Sequence, residues 1–284
     1  MLLASVDYFR PDTLTEAVEA LGTPGARVLA GGQSLISLLK LRAAQVDLLV
    51  DITRLEELRG IEVLDDGSVR IGAGVTYDDM ATSQTLADSH PKLSDVASFT
   101  VDAQVRNRGT FGGNLCHNDP INNFPPMVAA LDGTMHARGP NGDRDLSAED
   151  FFTGYFANGL EADEILISVT VPPLNGRAMG YQEIEIGEAA ARAVAAIGID
   201  DGVISSAQVA LGCLPVPTRL PQVEQRLTGA QPSAEVVAEA TEDAGEGIQP
   251  VADADASAEY RRAMAPVVAK RAVLEAIEQG GRHG

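Results

Sequence analysis

The chain has 284 residues, with 21 Lys and Arg against 41 Asp and Glu and a formal net charge of −20 at pH 7. A chain of that length buries a substantial core and accommodates two or three domains, while so large a negative charge repels phosphate backbones and argues against nucleic-acid binding. Hydrophobic residues make up 45% of the chain but aromatics only 4%, with no Trp, so its cores are built from Leu, Val, Ile and Ala.

After Pro11, Thr13-Leu14-Thr15-Glu16 reads as a capping box, and Leu14, Ala17, Val18 and Leu21 continue at helical spacing. Gly22 and Gly25 stop that helix, and Arg27-Val28-Leu29-Ala30 is predicted to be a short strand entering a glycine pair. Ser34 stands where it would cap the next helix, carried by Leu35, Ile36, Leu38, Leu39 and Leu41, before a strand over residues 48–52. The first fifty or so residues therefore read as a small αβαβ unit. From Leu55 the pattern changes: short strands flank the hairpin turn Asp65-Asp66-Gly67, and helices are predicted near residues 77–84, 91–99 and 124–131. Strands follow over residues 134–138 and 164–171, and Pro172-Pro173-Leu174-Asn175-Gly176 is the best linker. Beyond it, residues 181–186 alternate as a strand, Asp201-Gly202 turns a hairpin, and the chain becomes helical from Leu220. Residues 242–258 read as an acidic exposed loop and 258–279 as a long amphipathic helix.

Two glycine motifs stand out, Ala30-Gly31-Gly32-Gln33-Ser34 and Thr110-Phe111-Gly112-Gly113-Asn114. Glycine has no Cβ to hold an anion away from the backbone, so each is expected to turn bare N–H groups toward a phosphate. Gln33, Ser34, Thr110 and Asn114 add side-chain donors. Neither motif has Rossmann or P-loop spacing. Arg106 and Arg108 precede the second motif; phosphate contact, a partner-subunit contact and surface ion pairing all remain open for them. Cys116-His117 invites a nucleophile–base reading, but neighbours on an extended chain point to opposite faces. The two cysteines, Cys116 and Cys213, form no CxxC, and the four histidines show no metal-ligand spacing, so neither a metal site nor a catalytic acid–base set is expected. No apolar stretch approaches the roughly 20 residues of a membrane span, and the N-terminus lacks signal-peptide character, so a cytoplasmic protein without membrane insertion is expected.

The segments AGGQSLISLLKLR (residues 30–42) and QVRNRGTFGGNLCHNDP (residues 104–120) resemble the FAD-binding medium subunit of molybdenum hydroxylases, and the likeness extends over nearly the whole chain. The resemblance implies an α+β fold. Residues 1–174 would form a PCMH-type FAD-binding domain of two lobes, about 1–54 and 55–174, followed over 175–284 by an antiparallel sheet with helices. It implies FAD contacts from Ala30, Gly31, Gly32, Gln33, Ser34 and Leu35, from Thr110, Phe111, Gly112, Gly113 and Asn114, and from Asn123, where relatives often carry Asp. It further implies a large molybdopterin-binding subunit and a small subunit with [2Fe–2S] clusters, assembled as a dimer of heterotrimers. Electrons would pass from those clusters through the flavin to an external acceptor. Relatives carry a basic cluster, an Asp and an aromatic residue near the flavin ring after Gly180-Tyr181, where an ungapped match gives Glu183, Glu185, Ala190 and Ala191; a gap would bring in Arg192. That departure keeps two further readings open: an assembly subunit with a degraded flavin site, or a self-contained flavin oxidoreductase.

Overall fold

The computed structural model describes residues 3–100 and 102–281. The chain divides into two compact units, one of Met1–His117, Thr134–Phe151 and Asn158–Val171, the other of Asn118–Gly133, Phe152–Ala157 and Pro172–Gly284. Two stretches from the middle of the sequence thus belong with the C-terminal part.

The first unit opens on a three-stranded parallel sheet in which Leu48–Asp51 lies between Asp7–Phe9 and Ala26–Leu29. Parallel strands need a crossover, supplied by the helices Leu14–Leu21 and Leu35–Lys40. Thr13 caps the first of these through its side chain, 3.2 Å from the Glu16 N–H. The Glu16 carboxylate accepts from the Asp12 N–H rather than from Thr13, so only one half of the predicted box forms. Leu14, Ala17, Val18 and Leu21 pack with Val50, Ile52, Leu55 and Leu58 into one core cluster. A second sheet of five antiparallel strands has the order Ile61–Val63, Val69–Gly72, Ile165–Val171, Thr134–Gly139, Gly142–Ser147. Helices Tyr77–Thr82, Gln84–Ser89, Pro91–Phe99 and Phe111–His117 accompany it. The predicted helix near residues 77–84 ends at Thr82 because Ser83 turns extended and caps a separate short helix.

The second unit is built on four antiparallel strands, Ala178–Ile186, Glu188–Asp200, Val203–Gly212 and Thr218–Arg219. The strand Glu188–Asp200 is buried along ten consecutive residues, so it is covered on both faces rather than alternating. Its many alanines permit close approach by the helix Ala258–Gly280, whose Val268, Ala269, Ala272 and Val273 are fully buried. The neighbouring strand Ala178–Ile186 comes closer still at Gly180, where a Cβ would overlap the Ala272 carbonyl and lie 2.9 Å from the Ala276 nitrogen. Gly180→Ala is therefore expected to destabilise the chain by about 1–3 kcal/mol through overpacking, read as a lower urea midpoint. Residues 242–257 are irregular as predicted, but Ala244, Ile248 and Ala256 are buried, so this stretch is only partly exposed.

The α+β class with a predominantly antiparallel core is thus the observed architecture.

Candidate functional site

Both glycine motifs lie in the first unit. The strand Ala26–Leu29 delivers Gly31 and Gly32, and Gly32 turns the chain at φ +73°. The first helical backbone bond beyond it runs from Ile36 N–H to Gly32 C=O, 3.1 Å. The N–H groups of Gln33, Ser34 and Leu35 precede that bond and have no acceptor within the helix. Ser34 does not cap as expected: its φ and ψ of −88° and −54° are helical, and its side chain makes no cap bond. Gln33 steadies the turn instead, its Nε2 donating to the Gly31 carbonyl at 2.9 Å.

The second motif differs from expectation. Its amides are spent inside the protein: Phe111 N–H donates to Val75 C=O (2.8 Å), Gly112 N–H to Ala73 C=O (2.9 Å), and Asn114 N–H to Thr110 C=O (2.9 Å). Gly113 N–H donates to the Thr110 hydroxyl at 3.1 Å. The helix Phe111–His117 therefore begins within the motif rather than after it. Phe111 is fully buried and anchors this helix in the interior. Gly112 is glycine because a Cβ there would stand 2.5 Å from the Ala73 Cβ, so the helix could not reach the chain beneath. Asn114 is buried, and its Nδ2 donates to the Tyr77 hydroxyl at 3.0 Å. Burial raises the Tyr77 phenol to about 12, against the hydrogen bond from Asn114, which lowers it. The phenol is therefore neutral at any physiological pH.

The two motifs meet. A Cβ on Gly31 would overlap the Arg108 carbonyl and lie 2.9 Å from the Gly109 Cα. The first turn thus rests directly on the backbone entering the second. The second motif is a rigid floor, and the first presents the N–H groups. Gln33 is exposed and Ser34 and Leu35 are partly so, which leaves that edge open to a ligand.

The other sequence candidates are placed as follows. Asn123 belongs to the second unit, at the N-cap of Phe124–Ala130. Arg108 is exposed and Arg106 half-buried. Cys116 and His117 end a helix rather than lying on an extended chain, so about 100° separates their side chains. Burial raises the Cys116 thiol to about 12, which removes any thiolate nucleophile. Arg192 sits opposite Glu183 in the strand register and is 2% exposed, with Nη2 and Nε donating to Glu183 Oε2 at 2.8 and 3.1 Å. Its Nη1 donates to the carbonyls of Ile121 and Asn122, both at 2.8 Å. The guanidinium is thus fully engaged within the second unit. Sequence reasoning missed Tyr77 as the partner of Gly109 and Asn114, because it acts across more than thirty residues of chain.

An edge with several backbone donors above a backbone floor is suited to an anionic ligand gripped by amides. Comparison with known proteins gives the class. Residues 4–174 match the family model described as the FAD binding domain in molybdopterin dehydrogenase, and residues 182–276 match the CO dehydrogenase flavoprotein C-terminal domain. The chain belongs to the FAD-binding medium-subunit family of molybdenum hydroxylases, which are oxidoreductases. It is 35% identical to the carbon monoxide dehydrogenase medium chain of Hydrogenophaga pseudoflava, over 96% of this chain and 97% of the relative. It is 30% identical to the nicotine 6-hydroxylase medium subunit of Paenarthrobacter nicotinovorans, over 97% and 99%. Among solved structures, carbon monoxide dehydrogenase from Hydrogenophaga pseudoflava superposes with a TM-score of 0.94 at 34% identity, covering 98% of this chain and 99% of that one. Quinoline 2-oxidoreductase from Pseudomonas putida 86 gives 0.93 at 32%, covering 99% of each. The residues present fit FAD: the open amides of the first turn match the needs of a diphosphate, and the glycine contact at Gly31 holds that turn in place. No helix among the described residues is long and apolar enough to cross a membrane.

Proposed function

We propose that this chain is the flavin-bearing electron-transfer subunit of a heteromeric molybdenum hydroxylase, with FAD bound noncovalently by the domain spanning residues 1–174. The N–H groups of Gln33, Ser34 and Leu35 would hold the diphosphate, with Ala30, Gly31 and Gly32 shaping the turn. Thr110, Phe111, Gly112, Gly113 and Asn114 would form the wall behind it, and Asn123 would be a further contact. The observation that carries this reading is the seating of Gly31 on the Arg108 carbonyl, which brings the two motifs into one place. When bound, FAD supplies electron exchange between the [2Fe–2S] clusters of a small partner subunit and an external acceptor. A large molybdopterin-binding subunit would complete the unit, assembled as a dimer of heterotrimers in the cytoplasm. The substrate would be chosen on that large subunit, consistent with the different substrates named for the relatives.

The complex purified with its partner chains is expected to absorb near about 450 nm with on the order of one flavin per chain, and the band should bleach when substrate is added. A specific observation supports a second reading. Arg192 and Glu183 neutralise each other, so the hairpin after Gly180 offers no uncommitted cation from that pair. An intact complex whose flavin is absent, or does not bleach, would favour an assembly subunit instead.

A further inference from the structure

We propose that Tyr77 is a positioning residue for flavin binding: its phenol fixes the carboxamide of Asn114, and its ring and backbone fix the chain on which the first glycine turn rests. The inference rests on the FAD reading above. Tyr77 opens the helix Tyr77–Thr82 and is only 6% exposed. Its N–H donates to the Gly109 carbonyl at 3.1 Å, and its hydroxyl accepts from Asn114 Nδ2 at 3.0 Å. One residue therefore holds both ends of the segment 109–114, by its backbone at Gly109 and its hydroxyl at Asn114. A Cβ on Gly109 would lie 2.8 Å from Tyr77 Cε2, so Gly109 is packed flat against the ring. The neighbouring residues continue the same rail: Thr76 bridges Thr110, Val75 accepts from Phe111, and Ala73 accepts from Gly112. Gly109 is also where the first turn arrives, because the Cβ position of Gly31 falls against Arg108 and Gly109.

The phenolic oxygen distinguishes positioning from packing. Tyr77→Phe keeps the ring against Gly109 and the backbone bond, and removes the hydroxyl that accepts from Asn114 Nδ2. Losing that bond loosens the Asn114 carboxamide, and ordering it again on binding costs affinity. The test uses the full chain stripped of flavin, titrated with FAD and followed by flavin fluorescence, with the thermal midpoint of each flavin-free variant as the structural control. Tyr77→Phe is expected to weaken FAD binding roughly five- to tenfold with a near-unchanged midpoint. Asn114→Ala is expected to weaken it at least as much, and adding Tyr77→Phe to Asn114→Ala to do nothing further. Unchanged affinity in Tyr77→Phe, or losses that simply add in the double variant, would overturn the proposal while leaving the FAD reading intact. Failure of the unaltered chain to take up FAD would sink both. Should Tyr77→Phe fail to fold, Asn114→Ala cuts the same hydrogen bond from the other side, and wild-type affinity in that variant refutes the proposal by itself.

Discussion

Gly31→Ala is expected to weaken FAD retention by about ten- to a hundredfold, so that the variant purifies largely without flavin. The added methyl would overlap the Arg108 carbonyl and sit 2.8 Å from its carbon and 2.9 Å from the Gly109 Cα. All three atoms are backbone, and the chain there is tied to Tyr77 and Val105, so no flexible side chain can yield. Overpacking of this kind costs about 1–3 kcal/mol, and each 1.4 kcal/mol drawn from binding is about tenfold. Gly112→Ala meets the Ala73 Cβ at 2.5 Å and the Ala73 oxygen at 2.7 Å, and lifts a helix off its hydrogen-bonded rail. Both variants should lower the thermal midpoint as well as the flavin content, because each methyl forces packed backbone apart. Gly154→Ala, whose Cβ would meet only the Ala157 Cβ at 3.8 Å, is the matched control and should keep its flavin. Flavin released per chain and the thermal midpoint, measured side by side, check all three.

Arg192→Met is expected to destabilise the chain by about 3–5 kcal/mol, the cost of breaking a buried ion pair from one side. The substitution strands Glu183, whose side chain is 19% exposed, and leaves the Ile121 and Asn122 carbonyls without their donor. Tyr181 tightens the same cluster, its hydroxyl donating to Glu183 at 2.7 Å and its ring lying 5.7 Å from the guanidinium carbon. Replacing both Arg192 and Glu183 with apolar residues should recover much of the loss, because no lone charge then remains buried. The pair also sets a pH dependence. Burial alone would raise the Glu183 carboxyl, but Arg192 and the hydrogen bonds from Tyr181 and Arg192 outweigh it and hold the carboxyl below its ordinary value of 4.5. A carboxyl depressed in the folded state contributes stability above that ordinary value and loses it as pH falls through the folded value. Urea midpoints of the wild type should therefore decline below that range, and Glu183→Gln should flatten that part of the decline while lowering stability near neutrality.

Local chemistry was legible in the sequence. Thr13 capping its helix, Asp66-Gly67 turning a hairpin with Gly67 at φ +83°, and Asp201-Gly202 turning another are all decided within a few residues. The strand Asp7–Phe9 was not legible: three exposed residues carry no alternation, and only pairing with Leu48–Asp51 makes them a strand. The glycine motifs were visible, but the reasons for their glycines were not. Gly31 answers to Arg108, Gly112 to Ala73 and Gly109 to Tyr77, and each of these is a close approach between distant parts of the chain. The second motif therefore read as a row of open amides when its N–H groups are in fact the fastening of a helix. Arg192 was equally opaque, since a cation within an alanine-rich strand gives no sign of the two carbonyls and the carboxylate it joins.

The central claim is that the first glycine turn, braced by the second, grips the diphosphate of FAD. An experimental density map of the purified complex tests it most directly. The account predicts a dinucleotide whose phosphate oxygens lie within hydrogen-bond distance of the Gln33, Ser34 and Leu35 nitrogens, with Gly31 still seated on Arg108. A diphosphate bound elsewhere on the chain, with those three amides facing solvent, would contradict it.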